Sequence, residues 1–159
     1  MTGRYAEAIT TQKTALLRNP NHMGSYPRLV NGYVQQWAFQ QSLEAQTLEQ
    51  ALAAAQQAIA LDDSWPVGHR TLGTVYLWQK QYEQAIAEME RAIALAPNDA
   101  CGYVALAETL SRAGRPEEGL RTIEQALRCK PSFADSHLAS VGNAYDLAGR
   151  TEEAIAPLQ

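Results

Sequence analysis

Leu72-Gly73-x-x-Tyr76, then Tyr82, Ala85, Ala92 and Pro97; Leu106-Ala107-x-x-Leu110, then Pro116, Gly119, Ala126 and Pro131. These two runs, inside Trp65 to Phe133, write one pattern twice. Ala85 to Gly119, Ala92 to Ala126 and Pro97 to Pro131 are each spaced by 34 residues. A fixed period of that size is the signature of stacked helical hairpins, each of which leaves an apolar face that its neighbour must cover.

Working outward, the pattern divides the chain at 1–22, 23–64, 65–98, 99–133 and 134–159. The first segment reads as a second helix alone, Arg4 to Arg18, stopped at Asn19-Pro20-Asn21, because proline cannot continue a helix and disfavours it in the residue before. Pro20 to Asp63 spans 43 residues, nine beyond the period. The extra residues are expected near Gln36 to Gln46, as a longer first helix with Trp37 and Phe39 packing back onto the stack in preference to an exposed ligand-binding loop. Ser64 or Asp63 is expected to cap the helix that follows, with Pro66 in its first turn, and Asn98 or Asp99 the next. Gly114 and Gly149 suit helix ends because glycine tolerates positive φ. The last segment stops inside a helix at Gln159.

Composition agrees. The 159 residues are 46% hydrophobic, dominated by Ala and Leu, which favours helix over strand. With 13 Lys plus Arg against 17 Asp plus Glu, the net charge is -4. No basic block is present to hold a phosphate backbone, which argues against nucleic acid as a partner. No apolar run approaches the roughly 18 residues of a membrane span. Met1 to Thr10 lacks the apolar core of a signal peptide. Cys101 and Cys129 are too few for a disulfide framework and form no CxxC pair, so a reduced, cytoplasmic setting is expected.

Laid together, the units resemble the tetratricopeptide repeat family. His69-x2-Leu72-Gly73-x2-Tyr76 with Ala85-x3-Met89, Ala92 and Pro97 is the best copy, and Tyr103-x2-Leu106-Ala107-x2-Leu110 with Gly119-x3-Ile123, Ala126 and Pro131 the second. Val141-Gly142-x2-Tyr145 with Ala154-x3-Leu158 is the last. The resemblance implies an all-α fold, a right-handed α-solenoid of antiparallel hairpins, and a non-catalytic scaffold for protein–protein interaction. Gly73, Ala107 and Gly142 are expected to be small because helices cross closely there, and Ala85 and Ala92 because the second helix meets its neighbours. Three phrases, Ala58 to Ser64, Thr71 to Trp78 and Ala113 to Glu118, are similar to repeat arrays of bacterial multidomain signalling proteins, including nucleotide cyclases. A regulatory or oligomerising segment of such an enzyme is the alternative reading.

Arrays of this family are expected to line an inner face with their first helices. Opposite the core stripe, helical spacing places Asn31, Val34 and Gln35; Arg70, Thr74, Leu77 and Trp78; Val104, Glu108, Ser111 and Arg112; and Ala139, Asn143, Asp146 and Leu147. A peptide or protein segment is the partner expected there. Arg70 and Trp78 lead as binding anchors, since Trp and Arg dominate interfaces; the plainer reading has Trp78 capping the hairpin core. A family subclass grips a terminal carboxylate with Lys and Asn; those positions hold Pro27, Asn31, Thr71, Cys101 and Ala105, and only Asn31 matches. No enzyme, metal site or cofactor is implied. His22, His69 and His137 form no metal-ligand spacing, and Asp135-Ser136-His137 are sequence neighbours that point apart on a helix. Ala8, Ile9, Leu16 and Leu17 at one end, and Ala154, Ile155 and Leu158 at the other, are expected to be uncovered and to promote self-association.

Overall fold

A computed structural model describes residues 2–39, 44–129, 132 and 138–149. Among them are eight α-helices and no strand: α1 (Thr2–Arg18), α2 (Ser25–Phe39), α3 (Glu44–Leu61), α4 (Pro66–Trp78), α5 (Tyr82–Leu95), α6 (Ala100–Arg112), α7 (Pro116–Cys129) and α8 (Leu138–Leu147). They fall into two compact units, Met1–Gln81 and Tyr82–Gln159. The all-α expectation is met.

In unit 1 each helix packs on the next in the chain, and α2 also touches α4. Apolar residues at helical spacing supply the core: Tyr26, Leu29, Val30 and Tyr33 from α2, Ala51, Ala55 and Ala58 from α3, Leu72 and Val75 from α4. In unit 2, α5 packs on α6, α6 on α7 and α7 on α8, with α6 also touching α8. Ile86, Met89, Leu106 and Leu110 form one cluster, and Ala107, Leu120, Ile123, Ala126, Ala144 and Tyr145 a second.

The helices approach closely where the side chain is smallest. A Cβ on Gly119 would lie 2.8 Å from the carbonyl oxygen of Ala107, so α6 and α7 cross there with no room for a methyl. A second close approach recurs in register: a Cβ on Gly68 would lie 3.1 Å from Ile59, and one on Gly102 3.2 Å from Ile93, each from the preceding helix. At Gly142 the close-crossing expectation finds no support among the described residues, where an added Cβ would meet nothing within 4 Å.

The nine additional residues fall where they are expected, around Gln36 to Gln46: Tyr33 to Ala51 spans 18 residues against nine from Tyr76 to Ala85. Pro20 to Tyr26, Asp63 to His69 and Pro97 to Tyr103 share one six-residue spacing, so nothing is inserted before α2; in that register α2 starts two residues later than α4 and α6 and ends four later. The α2–α3 connection is one residue longer than that between α6 and α7, and α3 is four longer than α5 and α7. Residues 40–43 lie outside the described set. Trp37 packs back as expected, edge-on to Trp78 at 5.6 Å between ring centroids. Phe39 stacks on Tyr5 at 5.5 Å yet stays 64% exposed.

Three first helices are tied to the loop before them by the same bond. The Tyr26 hydroxyl donates to the Pro20 carbonyl at 2.7 Å, the Tyr103 hydroxyl to the Pro97 carbonyl at 2.9 Å, and His69 Nε2 lies 2.7 Å from the Asp63 carbonyl. A carbonyl only accepts, so His69 must carry its proton on Nε2. The bond spans six residues each time, and it satisfies a loop carbonyl outside the helical ladder.

The turns repeat as well. Gly114 N–H donates to Ser111 and Arg115 N–H to Leu110, closing α6 with a Schellman motif. Lys80 and Gln81 make the same pair to Leu77 and Tyr76. Gly114 and Gly149 adopt positive φ as expected, at 80° and 72°, but Lys80 holds φ 60° with a side chain. Asp99 caps α6, accepting from Cys101 N–H at 3.1 Å. The cap expected from Ser64 or Asp63 does not form: Trp65 occupies the N-cap of α4 without a side-chain bond. Asp62 instead accepts from the Ser64 amide and hydroxyl, and the hydroxyl bond holds its carboxyl below the usual range.

Candidate functional site

In unit 1 the expected groove residues divide by burial. Val34 and Leu77 are buried, at 4% and 7% exposure, and belong to the core. Asn31 is exposed, and Gln35, Arg70, Thr74 and Trp78 are half-buried. Trp78 packs against the core cluster and against Trp37, which is the plainer role weighed for it.

In unit 2, α6, α7 and α8 enclose an open depression of about 430 Å³. Its lining is Val104, Ala107, Glu108, Ser111, Ile123, Ala139, Asn143 and Ala144. The structure thus brings together Val104, Glu108 and Asn143 with Ser111 and Ala139. Arg112 and Asp146 are exposed and lie one turn along from Glu108 and Asn143. Arg112 Nη2 donates to Glu108 Oε1 at 3.0 Å, the ordinary i,i+4 pairing of an exposed helix face.

Periodicity alone missed the floor of this depression, Ile123 from α7 and Ala144 from α8. The signal was side-chain size at matching registers. Val30 and Val34 of α2 correspond to Ala107 and Ser111 of α6; Arg70 and Val75 of α4 correspond to Ala139 and Ala144 of α8. All four registers are smaller in unit 2. Fewer atoms project between α6 and α8, and the surface dips until it reaches Ile123.

A smaller depression of about 320 Å³ lies in unit 2 among Glu90, Leu106, Leu110, Arg115, Glu118 and Arg121. Its charges are internally matched: Arg115 donates to both oxygens of Glu118 at 2.7 and 2.8 Å, which lowers the Glu118 pKa, and it lies 4.0 Å from Glu83.

The remaining chemistry-bearing groups are used structurally. His22 Nδ1 is 2.8 Å from Ser25 Oγ, but Ser25 is 1% exposed and cannot meet a substrate. His137 and Asp135 lie outside the described residues. Among the described residues no group of three or more His, Cys, Asp or Glu could hold a metal ion, and no helix is long and apolar enough to cross a membrane. At the first end, Ile9 is buried against α2, correcting the expectation that it is uncovered, and Leu16 is half-buried; Ala8 is exposed and Leu17 is 85% exposed. Ala154, Ile155 and Leu158 lie outside the described residues.

Two family profiles, both described as tetratricopeptide repeat, match residues 42–100 and 76–141. Together they run over well more than half of the sequence. No curated protein sequence matches. Among solved structures, a thermophilic TPR protein of Thermus thermophilus is similar at 27% identity and a TM-score of 0.78, over 97% of this chain and 74% of that one. MamA is similar at 23% identity and 0.66, over 98% of this chain and 85% of its own. YrrB, described as a TPR protein with an unusual peptide-binding site, is similar at 20% identity and 0.59, over 98% and 75%.

Proposed function

Because the chain belongs to the tetratricopeptide repeat family, we propose that it is a non-catalytic scaffold whose first-helix surfaces bind a peptide or protein segment. The observation that carries this reading is the open depression of unit 2, where Val104, Glu108 and Asn143 meet around an apolar floor. Apolar floors with a few polar groups at the rim are what protein-recognition grooves need: burial supplies affinity and the polar groups fix register. In unit 1 the exposed or half-buried Asn31, Gln35, Arg70, Thr74 and Trp78 offer a second contact surface. The peptide-binding site of YrrB prompts the same ligand class for this chain, the likeness itself being one of fold.

The experiment is selection of a random octapeptide library, displayed on phage, against the immobilised full chain. Enrichment of binders over a blank surface is the expected result. No enrichment overturns the reading. The narrower alternative, a regulatory segment of a signalling enzyme such as a nucleotide cyclase, rests on the three sequence phrases; a catalytic domain encoded in the same reading frame is the observation that would carry it. Self-association rests on exposed Leu17 and Ala8, and light scattering against concentration tests it.

A further inference from the structure

From the chemistry of the unit 2 depression we infer which peptide it takes: an extended segment carrying one bulky apolar side chain next to a lysine or arginine. The inference rests on the scaffold reading above and sharpens it.

Size comes first. A protein cavity of about 150 Å³ is enough for a benzene ring, so about 430 Å³ receives a large side chain and part of its main chain. The floor is Ala107, Ile123 and Ala144, all buried and apolar, which rewards a carbon surface and penalises a charge. The rim is exposed at Glu108, Ala139 and Asn143, so a free small molecule would stay half in water; a chain that lays one residue in and continues along the rim suits it better.

The rim sets the rest. Asn143 is exposed, and among the described residues its amide has no hydrogen-bond partner. One amide offers both donor and acceptor, the pair an extended backbone presents. Asp146, one turn on, is exposed and is also unpaired among the described residues. Glu108 gives one oxygen to Arg112 and keeps the other. Two carboxylates against one guanidinium leave this rim negative, in a chain of net charge -4, and a basic neighbour on the ligand complements it.

The test repeats the octapeptide selection on wild type, Ala139→Trp and Asp146→Lys. Both positions are exposed, so unchanged circular dichroism is expected; Ala139→Arg stands in if the tryptophan variant misfolds. Wild type should enrich Leu, Ile, Met, Phe or Trp beside Lys or Arg. Ala139→Trp fills the depression and should cut capture by at least about tenfold, the loss expected when a large apolar side chain can no longer be buried. Asp146→Lys should keep the apolar preference and reduce the basic enrichment by about threefold, as a rim charge does. A consensus lacking the apolar or the basic residue overturns the inference. So does a consensus that survives Ala139→Trp. If such peptides are instead lost with Arg70→Glu, the scaffold reading stands and this site falls. If wild type enriches nothing, both fall.

Discussion

Unit 1 and unit 2 carry the same helices in the same register and present different surfaces. At the matching registers α2 and α4 carry Val30, Val34, Arg70 and Val75, and Trp37 meets Trp78. Between α6 and α8 the chain places Ala107, Ser111, Ala139 and Ala144, and the surface opens into a depression. The backbone pattern decides that two first helices lie side by side. Side-chain size at these four registers sets how far that seam is filled. A depression arises here by removing side chains from a repeat, with no change of fold.

The comparison breaks most sharply at the crossing beneath the groove. Gly119→Val forces a branched side chain onto the Ala107 carbonyl, and it should destabilise by about 3 kcal/mol in urea unfolding. Gly142→Ala, with nothing within 4 Å of its Cβ among the described residues, should stabilise by about 0.5–1 kcal/mol. Equal effects at the two glycines would refute the claim that one is a contact and the other is not.

The next test turns one unit toward the other. Val34→Ser gives α2 the residue that α6 holds at Ser111 and removes a 4%-exposed side chain. A loss of about 2 kcal/mol in unfolding free energy is expected. A neutral result would mean that Val34 seals nothing.

The turns give a smaller effect of opposite sign. Lys80 holds φ 60° in the Schellman turn where Gly114 holds 80°. Lys80→Gly should raise stability by about 1 kcal/mol, because glycine adopts that backbone without the Cβ clash. A fall in the thermal midpoint would contradict the equivalence of the turns.

Smallest is the response to acid. Asp62 in unit 1 and Glu118 in unit 2 both have carboxyls held below their ordinary range, by the Ser64 hydroxyl and by Arg115. A lowered folded-state pKa stabilises above the unfolded pKa of about 4, and the contribution is lost as pH falls through the folded value. Both are only half-buried and solvent screens their pairing, so a slight fall in stability below about pH 4 is expected. NMR titration of the two carboxyl carbons checks it; midpoints at or above the ordinary values would contradict the paired geometry.

Much of this was legible in the sequence, and the gaps have physical causes. The 34-residue spacing of small residues located the helices, since small side chains at fixed intervals are what close crossings demand. It did not reveal that Tyr26, His69 and Tyr103 share one bond to a loop carbonyl, because a phenol and an imidazole look unlike in a hydrophobic pattern. The Gly68 and Gly102 contacts escaped for a related reason: at that register unit 1 also holds Ser25, which hides the repeat. The cap of α4 was misassigned because Asp62, Asp63 and Ser64 are all capping residues, and local geometry spends Asp62 on Ser64. The break in the period located the nine additional residues but not their division between the end of α2, the connection and the start of α3, because a period records only their total. Of the site, Val104, Glu108 and Asn143 followed from helical spacing, whereas Ile123 lies on a second helix that the inner-face rule does not reach.

Methyl NMR of the full chain, titrated with an octapeptide recovered from the selection, tests the central claim most directly. The methyls of Ala107, Ile123, Ala139 and Ala144 should shift, while those of Val30, Val34 and Val75 stay still. Shifts confined to the three valines would contradict it.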